Sequence, residues 1–198
     1  VSGESSALTL LSSDVVVSTE PDYKAWAVMS LPPSDPLYSI QWNMEMIGAP
    51  DAWENLPDTL PTITVAVIDS GMCFNHPDMQ GAYSSFQRDY VEDDNVPQDE
   101  FGHGCSVTGV IASQNNNLGT IGVAPFVEIM PLRVLDETGS GVYSDIAGAI
   151  LDATSNGADI INLSLGGYAQ SNLLRSAVNY ALSHGVYVVA ATGNDGFS

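Results

Sequence analysis

Basic residues are nearly missing from this sequence. Lys24, Arg88, Arg133 and Arg175 stand against 24 acidic residues, for a formal charge of −20. That balance argues against nucleic acid or an anionic membrane surface as a partner, because both are held by a basic face. Apolar runs long enough to span a bilayer are also missing, so no membrane partner is expected. There are no internal repeats and no low-complexity tracts. Only two cysteines occur, Cys73 and Cys105. They either pair or remain two small thiols, and two alone do not fix a redox compartment. Among the three histidines, His76, His103 and His184, no pair has helix-face or hairpin ligand spacing, which argues against a zinc site. No P-loop and no glycine fingerprint follows the first strand, which sets aside a nucleotide-binding domain.

What is present is a chain of 198 residues with 44% hydrophobic side chains, enough for one globular domain with a sizeable core. Four β-branched or apolar runs read as strands: "ITVAVID" (63–69), "VEIMPLRV" (127–134), "ADIINLSL" (158–165) and "VYVVAAT" (186–192). Between them, stretches near 103–114, 144–156 and 171–184 carry apolar residues at three- and four-residue spacing and read as helices. Strands apolar on both faces, alternating with helices, predict an α/β fold with a parallel sheet covered on both sides. Residues 1–34 differ. "SLPPSDP" (30–36) overlaps their end, and its three prolines read as a linker or processing region.

In open α/β sheets, sites form outside the carboxyl ends of the strands. Asp69 ends the first strand, Ser164 lies near the end of the third, and Asn194 follows the fourth. His103, set between Gly102 and Gly104, opens a helix that begins on the same edge. The two glycines leave room for backbone or ligand beside the imidazole. Four polar residues far apart in sequence are thus expected at one rim.

These residues carry a resemblance to the subtilisin-like serine proteases, the subtilases. "VAVIDSGMCFNHPDM" resembles the family's aspartate motif, "GHGCSVTGVIA" its histidine motif and "VVAATGND" its oxyanion motif. The resemblance spans roughly 35–198, in family order. It implies Asp69 as triad acid, His103 as base and Asn194 as oxyanion donor. A serine hydroxyl needs such a base, and the carboxylate fixes the imidazole tautomer. "GSGVYSDI" resembles the strand that pairs with an extended substrate, and "INLSLGG" the strand lining the primary pocket. The implied substrate-binding residues are Gly139, Ser140, Gly141, Tyr143, Ser164, Leu165 and Gly166, with Ile146 in an apolar subsite and Asp195 near the primary pocket.

The resemblance also implies calcium as cofactor. "QNNNLGTIGVAP" resembles the family's calcium loop, with Gln114, Asn116, Leu118 and Thr120 among the ligands and Asp78 as the carboxylate. Asp35 or Gln41 supplies an N-terminal ligand. His76 is expected as a structural turn residue, and the acidic run "EDDNVPQDE" (92–100) as a solvated loop. Where the family has threonine two residues after the base, this chain has Cys105. Cys73 lies four residues after Asp69, so contact between Asp69 and His103 would bring the cysteines close enough to bridge or to remain a near pair.

The family's nucleophile stands in a Gly-Thr-Ser-Met-Ala-like motif, and no such stretch occurs here. The expectation is therefore 1–34 as the tail and linker of an inhibitory propeptide, and 35–198 as the N-terminal part of a catalytic domain truncated before the nucleophile helix. Implied further are a secreted, monomeric zymogen acting on polypeptides, its own propeptide as partner, and no turnover by this piece alone. The alternative is a non-catalytic pseudoprotease or peptide-binding module of the same fold.

Overall fold

The computed structural model describes residues 33–57, 59–81, 83–194 and 196. Nearly all of the segment read as a propeptide tail and linker lies outside the described residues, as does Asp195. Among the described residues five strands form: β1 (Thr64–Asp69), β2 (Arg88–Asp89), β3 (Glu128–Arg133), β4 (Ile160–Leu163) and β5 (Tyr187–Ala190). They make one parallel sheet in the order β2-β3-β1-β4-β5. Five α-helices accompany them: α1 (Trp42–Met46), α2 (Ala49–Glu54), α3 (His103–Ala112), α4 (Tyr143–Ser155) and α5 (Asn172–Ser183). The α/β fold with helices on both faces is the one the alternation predicts.

The period-two rule divides β1 between two cores. Ala66 and Ile68 face α4 and α5, where Met130, Leu132, Ile150, Ile161 and Ala181 complete a buried cluster. Val65 and Val67 face the other way, against Ala112, Val107 and Ile111 of α3. Asp69 continues the odd-numbered series, so its side chain leaves β1 on the α3 side. A third, smaller cluster joins Met44, Ala49 and Trp53 to Ile121, and the Trp53 indole donates a 2.8 Å hydrogen bond to the Val123 carbonyl.

Pro131 lies inside β3, in register with Val67. Ile129 and Arg133 accept backbone bonds from Ser84 and Tyr90, on the side away from β1. Pro131 has the same parity, so its missing N–H faces the gap before two-residue β2 begins. The ladder to β1 is untouched.

A hydroxyl and a glycine close the two ends of α5. The Ser171 hydroxyl caps α5 by accepting from the Leu174 amide. His184 is its C-cap, and Gly185 follows at φ +81°. His76 caps the 3-10 turn Pro77–Met79, its Nδ1 accepting from the Asp78 amide, in keeping with a structural role.

Candidate active site

The two glycines around His103 serve different ends. Gly102 caps α3 at φ +96° with open space around it, so it is there for its backbone conformation. Gly104 is there for room: a side chain on it would collide with the Gly71 carbonyl. The loop leaving β1 therefore lies directly on the first turn of α3.

Across that contact, His103 Nδ1 meets Asp69 Oδ1 at 2.8 Å. The carboxylate is fully buried, whereas the imidazole is 43% exposed. Asp69 Oδ1 also accepts from the Ser70 amide at 2.7 Å. Its backbone carbonyl accepts from Val134 and Leu135, pinning the end of β1 to the segment after β3. With Nδ1–H donated to the carboxylate, the Nε2 lone pair remains for a proton.

The start of α3 is anchored by a residue that the sequence pattern did not single out. Asp99 Oδ1 accepts from Ser70 Oγ, Phe101 N and Gly102 N, and its Oδ2 from Cys105 N. Burial pushes this carboxyl up. The hydrogen bonds from Gly102, Cys105, Ser70 and Phe101 outweigh burial and hold it below the ordinary aspartate range. Glu100 reaches back at 2.7 Å to Arg133, which also binds Asp89 at 3.0 Å in a buried pair. The acidic run is therefore only partly a solvated loop. The readable signal was an aspartate three residues ahead of a glycine that opens a helix.

His103 stands at the mouth of a cleft of about 420 Å³. One wall is Gly139, Ser140, Gly141 and Tyr143, and the other is Ser164, Leu165 and Gly166. All seven expected substrate-binding residues thus line one space. The 139–141 segment is a turn leading into α4 rather than a ladder strand. Asp136 organises it, accepting from the amides of Thr138 and Ser140. Those bonds, with the Thr138 hydroxyl foremost, hold the Asp136 carboxyl below its usual range. The ring of Phe101 lies against Gly139, where a Cβ would sit 2.7 Å from it, and closes the cleft beside His103. Ser164 Oγ accepts from Asn162 Nδ2 at 3.0 Å. Asn194 follows β5 on the same carboxyl edge, exposed, and is not among the residues lining the cleft.

Cys73 and Cys105 form a disulfide with Cα atoms 5.4 Å apart. They and Asp99 come together, but the sulfurs are bonded to each other, so this trio is no ligand set.

The expected metal residues gather around the 114–120 loop. Asp35 and Asp78 are buried, and one oxygen of each, Asp35 Oδ2 and Asp78 Oδ1, has no partner. Their other oxygens hold the loop: Asn116 N donates to Asp35 Oδ1 and Thr120 N to Asp78 Oδ2, both at 3.0 Å. Asn116 Oδ1 accepts from Leu118 N, and the Gln114 side chain donates to the Ala112 and Pro125 carbonyls. Gln41 uses both ends of its amide on Ile121. Two buried carboxylates with free oxygens fit a bound cation.

A family model described as "Subtilase family" matches residues 61–198. The chain is 40% identical over 166 residues to thermitase of Thermoactinomyces vulgaris, covering 83% of this chain and 58% of thermitase. It is 46% identical over 135 residues to a thermophilic serine proteinase of Bacillus sp. (strain AK1), 68% of this chain and 33% of that protein. Subtilisin E of Bacillus subtilis (strain 168) is 42% identical over 163 residues, 81% of this chain and 41% of that protein. The chain thus spans about half or less of the length of these relatives.

Proposed function

Since the chain belongs to the subtilase family, we propose that its cleft is part of a serine endopeptidase site and that it acts on polypeptides. The observation that carries this is the 2.8 Å contact between buried Asp69 and half-exposed His103 at the cleft mouth. In this reading His103 Nε2 takes the proton of a serine hydroxyl as that oxygen attacks the peptide carbonyl. It then gives the proton to the leaving amine. Asp69 holds the tautomer and stabilises the imidazolium. Asn194 offers its side-chain N–H₂ to the oxyanion, a contact worth about 3–4 kcal/mol in such sites. Gly141 and Gly166 leave backbone on the two walls for an extended substrate strand. The nucleophile is proposed to come from outside these 198 residues, none of which stands in a Gly-Thr-Ser-Met-Ala-like motif.

The same reading assigns calcium to Asp35, Asp78, Asn116 and the carbonyls of Gln114, Leu118 and Thr120. The orphaned buried oxygens of the two aspartates support it. Asp35 is the better N-terminal donor, because it brings a negative charge and a buried oxygen with no partner, whereas Gln41 is a neutral amide whose oxygen already accepts from Ile121 N. Bound calcium would supply structural cross-linking between the N-terminal segment, the loop after β1 and the exit of α3.

Secretion is part of the proposal, supported by the disulfide, since such bonds persist in oxidising compartments. Among the described residues no helix is long and apolar enough to cross a membrane. Residues 1–34 are proposed as a propeptide tail and linker, and the protein as a monomer.

The test is peptide hydrolysis by the intact gene product and its His103→Ala variant. Loss of about 10⁴-fold or more in kcat with KM little changed is expected of a triad base. Labelling by a serine-directed phosphonylating reagent should depend on His103. Near-normal kcat in the variant removes His103 from the mechanism, and an intact protein with no turnover favours the binding-module alternative.

A further inference from the structure

The disulfide occupies a particular place. Cys73 lies four residues after Asp69, and Cys105 lies two after His103. Acid and base are joined by the 2.8 Å hydrogen bond, and the segments that carry them are joined again by the disulfide. Between these links Gly104 rests on the Gly71 backbone, with no space for a side chain. Residues two apart on a helix point about 200° from each other. The two links therefore hold the first turn of α3 from opposite sides, with the glycine contact as a fulcrum.

A helix's first turn is its weakest, because its amides lack intrahelical partners. Here Ser70 partners the Gly104 amide and Asp99 the Cys105 amide of that turn, and Asp99 also holds the Phe101 and Gly102 amides just before it. These are hydrogen bonds, exchangeable with water when the turn opens. Among the described residues the disulfide is the one covalent cross-link between the two segments. An opening of the turn by rotation about the Gly71–Gly104 contact would lengthen either the hydrogen bond or the disulfide, and the disulfide does not lengthen.

We propose that the Cys73–Cys105 disulfide is a positioning element for the Asp69–His103 couple, and that its reduction by a dithiol loosens the imidazole from the carboxylate. This rests on the reading of that couple as acid and base. Both sulfurs are reachable. The cysteines are partly exposed and line an open cavity of about 380 Å³ between α1, the turn around His76 and α3. That cavity shares no lining residue with the substrate cleft, so a reductant reaches the bridge without competing with substrate. In the exchange, one thiolate of the dithiol attacks a cystine sulfur and the second resolves the mixed disulfide. The dithiol ends as a cyclic disulfide, and the bridge, having taken two electrons and two protons, becomes two thiols. An oxidant such as a disulfide in excess reverses it.

The test follows the His103 Nδ1 proton by NMR in the intact protein, oxidised, reduced with dithiothreitol and reoxidised, and in the Cys73→Ser/Cys105→Ser variant. Hydrogen-bonded to a buried carboxylate, this proton is shifted downfield and protected from exchange. Reduction should broaden or remove its signal while the amide spectrum of the sheet persists, and reoxidation should restore it. In parallel, kcat should fall about 10- to 100-fold, the scale of a small misplacement of a reacting group, with KM unchanged. The Asp69→Asn variant separates the two layers of the argument. If it leaves the His103 proton unaltered, the acid–base reading itself fails. If it alters that proton but reduction and the double variant do not, the positioning role alone fails. Global unfolding on reduction also overturns the proposal, since the bridge would then hold the fold rather than the couple.

Discussion

Ser70 donates a 2.9 Å hydrogen bond to Asp99 and accepts one of 2.9 Å from the Gly104 amide. The residue after Asp69 is thereby bonded both to the loop before His103 and to the residue after it. The Asp69–His103 contact is one bond in a network that joins two carboxylates, Asp69 and Asp99, through Ser70.

Asp99→Asn should therefore destabilise the protein in a pH-dependent way. The Asp99 carboxyl is held below its ordinary value by hydrogen bonds from Gly102, Cys105, Ser70 and Phe101. A depressed carboxyl stabilises the fold above its unfolded-state value. That contribution is lost as pH falls through the lower, folded-state value. At neutral pH the variant should lose about 1–2 kcal/mol, the scale of a helix cap, with the difference shrinking in acid. Urea midpoints of both proteins across the acid range measure it. A difference independent of pH would show that the charge is immaterial.

The network explains what was legible beforehand. The four long strands and three long helices follow from apolar runs and helical spacing, and with them the shared edge of Asp69 and His103. β2 was not legible, because two residues, Arg88 and Asp89, carry no apolar period. α1 and α2 were not either, since Trp53 buries against Val123 through tertiary contact rather than through a long amphipathic run. Asp99 read as part of a solvated acidic run, and Asp136 was not singled out, because composition does not show which carboxylate meets a cluster of backbone amides. Phe101 gave no signal, as its partner Gly139 is distant in sequence.

Arg133→Ala should be among the most damaging substitutions outside the cleft. Arg133 is 2% exposed and Asp89 1%, so truncation leaves a buried carboxylate without its cation. Breaking such a pair costs about 3–5 kcal/mol. Glu100 is half exposed, and Glu100→Gln should cost no more than about 1 kcal/mol. Chemical denaturation of the two variants checks the contrast. Equal losses would mean that the ion pair is not graded by burial as argued.

Gly104→Ala tests the contact between the segments. Alanine favours a helix over glycine by about 1 kcal/mol where nothing intervenes. Here its methyl would meet the backbone of Gly71, which has no flexible end to move aside. The expected outcome is a net loss of about 1–3 kcal/mol, typical of overpacking. His103 should also be displaced, seen as a fall in kcat with KM retained. Gly102→Ala probes a different constraint, the left-handed backbone at φ +96°, with open space around it. A stabilised Gly104→Ala protein would remove the fulcrum from the account.

Calcium should stabilise the fold through Asp35 and Asp78. Each is buried with one oxygen lacking a partner, and each already holds an amide of the 114–120 loop. The Asp78 carboxylate lies against Gly119, so loop and carboxylate close on each other and leave the free oxygen for an ion. An ion that binds only the folded form adds RT ln(1 + [Ca]/Kd), about 2.7 kcal/mol at a hundredfold excess over Kd. Asp78→Asn keeps an acceptor for Thr120 but removes one of the two negative charges, so calcium should bind it far more weakly. Thermal unfolding with chelator and with excess calcium, for wild type and variant, gives the answer without reference to activity. The wild-type midpoint should rise with calcium and the variant's should barely move. If chelator leaves the wild-type midpoint unchanged, or both proteins respond alike, the loop is a turn closed by its own hydrogen bonds and the calcium assignment falls.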